Sequence, residues 1–282
     1  MMNMDALHGA VAVLYVMSTL FYGVYLFKQK DGLQKAGLAL MAGGFVFHTL
    51  FILTECVSIG YLPVYNLRLT LSMAAWSSAA VYFWIRYRYR IKVMGIYAAP
   101  LVACVYIISL NFPEIPAHAA ELFKSVWLVV HVITVFIGEA SLAMACGAGI
   151  LYLIQEHGIK SKKRGFFYSR LPSLEQLDAT GYAGIVIGFT AFTVGLIVGL
   201  VYAKLVWHRF ASWDPKEIWS GISWLVYAAL LHERIAVGWR GRRAAIMAII
   251  GFVVLMFSFL GVTFLMGGHH GGFTQWQIPY KP

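Results

Sequence analysis

Long apolar runs separated by short polar segments dominate the chain. They fall at roughly 6–27, 36–56, 69–86, 94–112, 126–155, 181–206, 218–237 and 245–266. Each is close to the ~20 residues an α-helix needs to cross the hydrocarbon core of a bilayer. The pattern predicts an all-α fold: a polytopic membrane helix bundle of about eight transmembrane helices, built as a single integral membrane domain over 1–282. Only Asp5 is charged ahead of the first run, which is also long for the apolar stretch of a signal peptide, so it is read as a retained span. The longest connections, about 156–180 and 207–217, and the tail 267–282 are too short for a soluble domain. The activity therefore belongs to the bilayer or its surface.

Charge adds an orientation. The connections alternate sharply in cations, with sixteen Lys and Arg in one set and six in the other. The rule that cytoplasmic loops are the positive ones predicts both termini outside. It also accounts for the formal net charge of +10, which therefore says nothing about nucleic acid; no nucleic-acid partner is expected. The aromatic-interleaved RYRYR at 86–90 reads as a cytoplasmic anchor. KSKKRG at 160–165 reads as an orientation signal or a contact for anionic lipid heads of the bilayer. Cys56, Cys104 and Cys146 form no Cys-x-x-Cys pair, which argues against thiol redox chemistry within the chain.

Two local patterns stand out. The run 181–202 repeats small residues four apart at Gly184/Gly188 and Gly195/Gly199, a spacing that lets helices approach closely. The segment WHRFASWDPKEIWSGISWLVYAALLH, 207–232, mixes indoles with charge. Part of it is a helix start: Asp214 is a good N-cap, Pro215 suits the first helical position, and Glu217 lies three after the cap. The start does not require Trp207, Trp213, Trp219 and Trp224, gathered within 18 residues at the outer face. They make either an interfacial aromatic belt or a platform for a flat aromatic ligand. Lys204, Arg209 and Lys216 are the clustered cations available there to anionic groups of such a ligand.

Histidines sharpen the second reading. His131 lies about one turn inside the outer end of the fifth run, and His269 and His270 follow the last run in GGHHGG. Two neutral imidazoles facing a planar aromatic dicarboxylate are what haem ligation requires. The bland alternatives are a hydrogen-bonded core His131 and a loose terminal pair, and His8, His118 and His208 share the outer side. His232 sits on the order of 25 Å from the start of the seventh run, near the cytoplasmic end. His48 and Glu139 lie near the middle of their runs, where ionisable groups are either functional or satisfied between helices. With little intramembrane charge beyond Glu139, a polar solute path is disfavoured.

The segment 207–232, with a His at the head of the preceding span, a His at the far end of its own helix and a His after the last span, resembles the tryptophan-rich WWD segment of the cytochrome c assembly family (CcsA/ResC type). The resemblance covers about 127–272; residues 1–125, the four N-terminal spans, match in general character only. It divides the chain into 1–125 and a haem-handling half, 126–282, with the WWD loop at 207–219. What it implies is a haem-handling subunit of the System II cytochrome c synthase in a bacterial inner membrane, with the WWD loop on the periplasmic side. Its substrate would be haem b, its partners a CcsB-like membrane protein and an apocytochrome c bearing Cys-x-x-Cys-His. His131 and His269 or His270 would hold the iron axially against Trp207, Trp213, Asp214, Trp219 and Trp224. His232 would ligate at an internal site whose second ligand comes from the partner, with His48 a substitute chosen by depth alone. Ala211 stands where the fuller pattern has a tryptophan, which keeps open a HemX-like reading: a membrane protein influencing tetrapyrrole synthesis without synthase activity.

Overall fold

A computed structural model describes residues 4–113, 123–161, 165–208, 210 and 213–266. Eight long helices follow one another within them: α1 (Met4–Lys28), α2 (Asp31–Ile59), α3 (Leu67–Tyr89), α4 (Gly95–Leu110), α5 (Val126–Lys160), α6 (Leu174–Trp207), α7 (Pro215–His232) and α8 (Arg242–Met256). A π-helical turn, Glu233–Val237, continues α7, and another, Phe257–Gly261, leads from α8 into a last helical turn, Val262–Leu265. No strand occurs among the described residues.

The termini of the helices follow from local chemistry. Gly60, at φ +80°, closes α2 by donating its N–H to the Cys56 carbonyl. Asn66 caps α3 by accepting the Leu69 N–H at 2.8 Å, and Ser173 caps α6 by accepting the Gln176 N–H at 3.2 Å. Asp214 and Pro215 begin α7 as the sequence predicts: the Asp214 carboxylate accepts the Lys216 N–H at 2.9 Å, and Pro215 takes the first helical position, where no N–H is needed.

Six of these helices are long and apolar enough to cross a membrane, α4 together with the turn before it and α8 with its continuation, so the chain is a multi-span membrane protein. Of the eight expected spans, α3 and α7 form as helices but fall short of that mark. In α3 the reason is burial: thirteen of its 23 residues are buried, Thr70, Ser72, Ser77 and Ser78 among them. A helix sheathed by protein does not have to present an apolar surface to lipid. Helix α7 has 18 residues, about 27 Å of rise, and carries Lys216 and Glu217 in its first turn.

Close antiparallel packing of α5 on α6 organises the C-terminal half. A Cβ at Gly138 would stand 2.8 Å from the Phe192 nitrogen, one at Gly184 2.9 Å from the Ser141 carbonyl, and one at Gly188 3.0 Å from the Gly138 carbonyl. The glycine pattern read from the sequence is thus a backbone-to-backbone seam. Across it, α8 lies on α5, with Gly149 against Ala245, and α7 meets α8 where Tyr227 covers Gly251. In the N-terminal half α1 to α4 share a core of buried tyrosines, Tyr15, Tyr22, Tyr82 and Tyr106. At the end opposite the 207–217 connection, Asp178 of α6 accepts two hydrogen bonds from Arg234, at 2.8 and 2.7 Å, and one from the Gly241 N–H at 2.8 Å. Glu156 of α5 joins Lys160 and Arg242 there. These ion pairs tie α5, α6, α7 and α8 together at that end.

Candidate functional site

Antiparallel packing brings the first turns of α5, the last of α6, the first of α7 and the last of α8 to the same end of the bundle. Between them lies a cavity of about 330 Å³, within the range of small-molecule and cofactor sites. Helix α5 contributes His131, Val135, Phe136 and Glu139; α6 contributes Phe192, Gly199, Tyr202 and Trp207; α7 contributes Lys216, Glu217 and Ser220. Ser258 and Phe259 come from the π-helical turn after α8, and Val64 and Thr70 close the side toward α3. The walls are mainly aliphatic and aromatic, and among the polar groups Ser220 Oγ and Ser258 Oγ lie 3.5 Å apart.

His131 is held by the facing helix. Its Nδ1 lies 2.7 Å from the Gly195 carbonyl oxygen, and a carbonyl only accepts, so Nδ1 carries the proton. The lone pair is therefore on Nε2, the form of imidazole that ligates a metal, with the second nitrogen fixed by a backbone carbonyl. The ring also rests on Gly199, where a Cβ would stand 2.7 Å from both Nδ1 and Cε1. Val135 and Glu139 follow His131 at four and eight residues, so Glu139 lines the same cavity about 12 Å further along the helix.

The four tryptophans separate. Trp207, the last residue of α6, lines the cavity; the other three do not. Trp213 is 78% exposed and holds a left-handed φ of 55° in the connection before α7. Trp219 packs edge-on against Phe257 with ring centres 4.5 Å apart. Trp224 is a helix-interface residue: its Nε1–H donates to Thr193 Oγ1 at 2.8 Å and its ring lies 5.4 Å from Phe189. Asp214 is buried and acts as the α7 cap. Of the cations expected near a ligand, Lys216 reaches the cavity, with Nζ 5.8 Å from the centre of the Phe259 ring. Lys204 instead donates to the His208 carbonyl at 3.2 Å. Arg209, Ala211, His118, His269 and His270 lie outside the described residues.

His232 is exposed at the far end of α7, next to the clamp made by Asp178 and Arg234. His48 is fully buried and committed to protein partners: Nδ1 lies 3.2 Å from Tyr15 Oη and Nε2 2.8 Å from Ser72 Oγ. That is the satisfied polar contact between helices weighed from the sequence. Sequence reasoning read Gly199 as a packing residue only, and missed the Gly195 carbonyl and the convergence of Lys216 with Glu139. The spacing of Glu139 from His131 was a signal only that the two share a face of α5.

Comparison with known proteins gives the family. The family model of the cytochrome C assembly protein matches residues 6–270, so the match takes in the four N-terminal helices as well. A "Cytochrome c biogenesis protein CcsA" from Parasynechococcus marenigrum (strain WH8102) is 33% identical over 75% of this chain and 77% of its own length. The protein of the same name from Guillardia theta is 33% identical over 79% and 80%, and that from Synechococcus sp. (strain CC9605) 30% identical over 93% of both. The chain therefore belongs to the cytochrome c assembly protein family.

Proposed function

We propose that the chain is the haem-presenting membrane subunit of a System II cytochrome c synthase, working in a bacterial inner membrane beside a CcsB-like partner. The observation that carries this reading is His131: an imidazole with its proton fixed on Nδ1 by the Gly195 carbonyl, set in the wall of an apolar cavity beside Trp207. Haem b is the substrate, held at the iron by His131 on one side and by His269 or His270 on the other. Lys216 supplies the positive charge for a propionate. Trp213, Trp219 and Asp214 shape the rim and the entry to α7, and Trp224 supports the helix behind it. The end holding the 207–217 connection faces the periplasm, since the opposite end carries most of the cations, and both termini are on the periplasmic side.

The chemistry asked of the protein is positioning. Each thiol of the apocytochrome adds across a vinyl group, forming one S–C bond, turning the double bond into a single bond and delivering the thiol proton to the adjacent carbon. No net electron transfer is needed, and the chain needs no thiol pair of its own. Holding a flat substrate with its reacting edge at the surface converts the encounter with a folded-back Cys-x-x-Cys-His segment into a local event. The substrate's own His then replaces one axial ligand. His232, exposed at the inner end, is the ligand this chain offers to an internal haem, completed by the partner.

The test is co-expression of the chain with a CcsB-like protein and an apocytochrome c reporter in a host lacking its own synthase. Covalent haem on the reporter, lost in His131→Ala, is the expected result. Tetrapyrrole levels that change while no thioether forms would replace this reading with the HemX-like one.

A further inference from the structure

The glycine seam between α5 and α6 changes character along its length. At Gly138, Gly184 and Gly188 it is packing alone: the atoms a Cβ would meet are backbone, a leucine or an alanine. At Gly199 the atoms met at 2.7 Å are ring atoms of His131, and four residues earlier Gly195 offers its carbonyl oxygen to the same ring at 2.7 Å. A Cβ at Gly195 would itself stand 2.6 Å from Val135 Cγ2, so that carbonyl reaches the imidazole only because the helices touch there.

We infer that Gly195 and Gly199 form a seat that sets the tautomer and tilt of His131. They are thus positioning residues for the iron ligand, an inference that rests on the haem reading above. The carbonyl holds the proton on Nδ1 and raises the electron density at Nε2. The missing side chain at Gly199 leaves the slot in which the ring lies. Alanine at 199 pushes the ring out of contact distance and takes Nδ1 away from its acceptor. Changes to such supporting groups typically cost 10–100-fold in metal affinity. Weaker donation from Nε2 also makes the ferric form less favoured, so the reduction potential rises.

The experiment compares five full-length proteins expressed with the partner: wild type, Gly199→Ala, Gly184→Ala, and His131→Gly with and without Gly199→Ala. Gly184→Ala disturbs the same seam, against the Ser141 carbonyl at 2.9 Å, far from the ring. The seat predicts a shifted low-spin signal by electron paramagnetic resonance, a raised potential and at least about tenfold weaker haem retention in Gly199→Ala. Gly184→Ala should keep the wild-type signal in whatever protein folds. In His131→Gly the clash at 199 is gone, so the double variant folds even where Gly199→Ala does not. Added imidazole then reads the slot directly: at least about tenfold more should be needed to restore the bis-imidazole spectrum when residue 199 is alanine. Equal imidazole requirements, or the same spectral change in Gly184→Ala, would overturn the seat. Absence of bis-histidine haem from the wild type would instead overturn the haem reading beneath it.

Discussion

Replacing Asp178 by alanine strips three hydrogen bonds from one carboxylate: two from the Arg234 guanidinium, at 2.7 and 2.8 Å, and one from the Gly241 amide at 2.8 Å. The pair is mostly enclosed, with Arg234 10% and Asp178 17% exposed, and Arg234 also lies over the Tyr182 ring at 4.6 Å. Removing one member of a buried pair leaves the other charge unpaired, at roughly 3–5 kcal/mol. The residual exposure and the Tyr182 face lower that here to about 2–3 kcal/mol, still a large share of the usual margin of stability. The contrast is the Asp31–Lys92 pair, nearly as short at 2.9 Å but with side chains 68% and 49% exposed, where water and salt screen the charges and little is lost. Thermal unfolding in detergent, followed by circular dichroism and gel filtration, measures both. Asp178→Ala should unfold at clearly lower temperature and Asp31→Ala close to wild type. Equal midpoints would refute the reasoning that enclosure, not distance, sets the strength of these pairs.

Trp207→Ala should lower haem retention by visible absorbance, since that ring lines the cavity. Trp224→Phe should leave retention unchanged and cost about 0.5–1.5 kcal/mol in unfolding, the worth of its bond to Thr193. Lys216→Met should weaken retention of haem but not of its dimethyl ester, measured side by side by spectral titration, because only the free propionate needs the ammonium.

Much of this was legible along the chain. Asp214 and Pro215 announce the start of α7 by their own chemistry, and the glycine spacing announces the α5–α6 seam, because both are local rules. Helix α3 forms where a span was read, but its buried Ser72, Ser77 and Ser78 make it less apolar than the other long helices, and the run alone does not reveal that those positions face protein. The tryptophans were counted together because they share a stretch of sequence. Only packing separates Trp207 in the cavity from Trp224 between α6 and α7 and Trp213 at the surface. Lys216 and Glu139 lie far apart in sequence, and no periodicity within one helix foretells that α7 will bring the first toward the second. His131 was singled out from its place at the head of α5, but the carbonyl that fixes its proton belongs to a neighbouring helix.

The central claim is that His131 binds haem iron in this cavity. Its most direct test is the visible spectrum, oxidised and reduced, of the detergent-purified protein expressed with a CcsB-like partner, for wild type and His131→Ala. A six-coordinate bis-histidine haem in the wild type that is lost or shifted in the variant is the predicted result. A haem spectrum identical in the two proteins would contradict it.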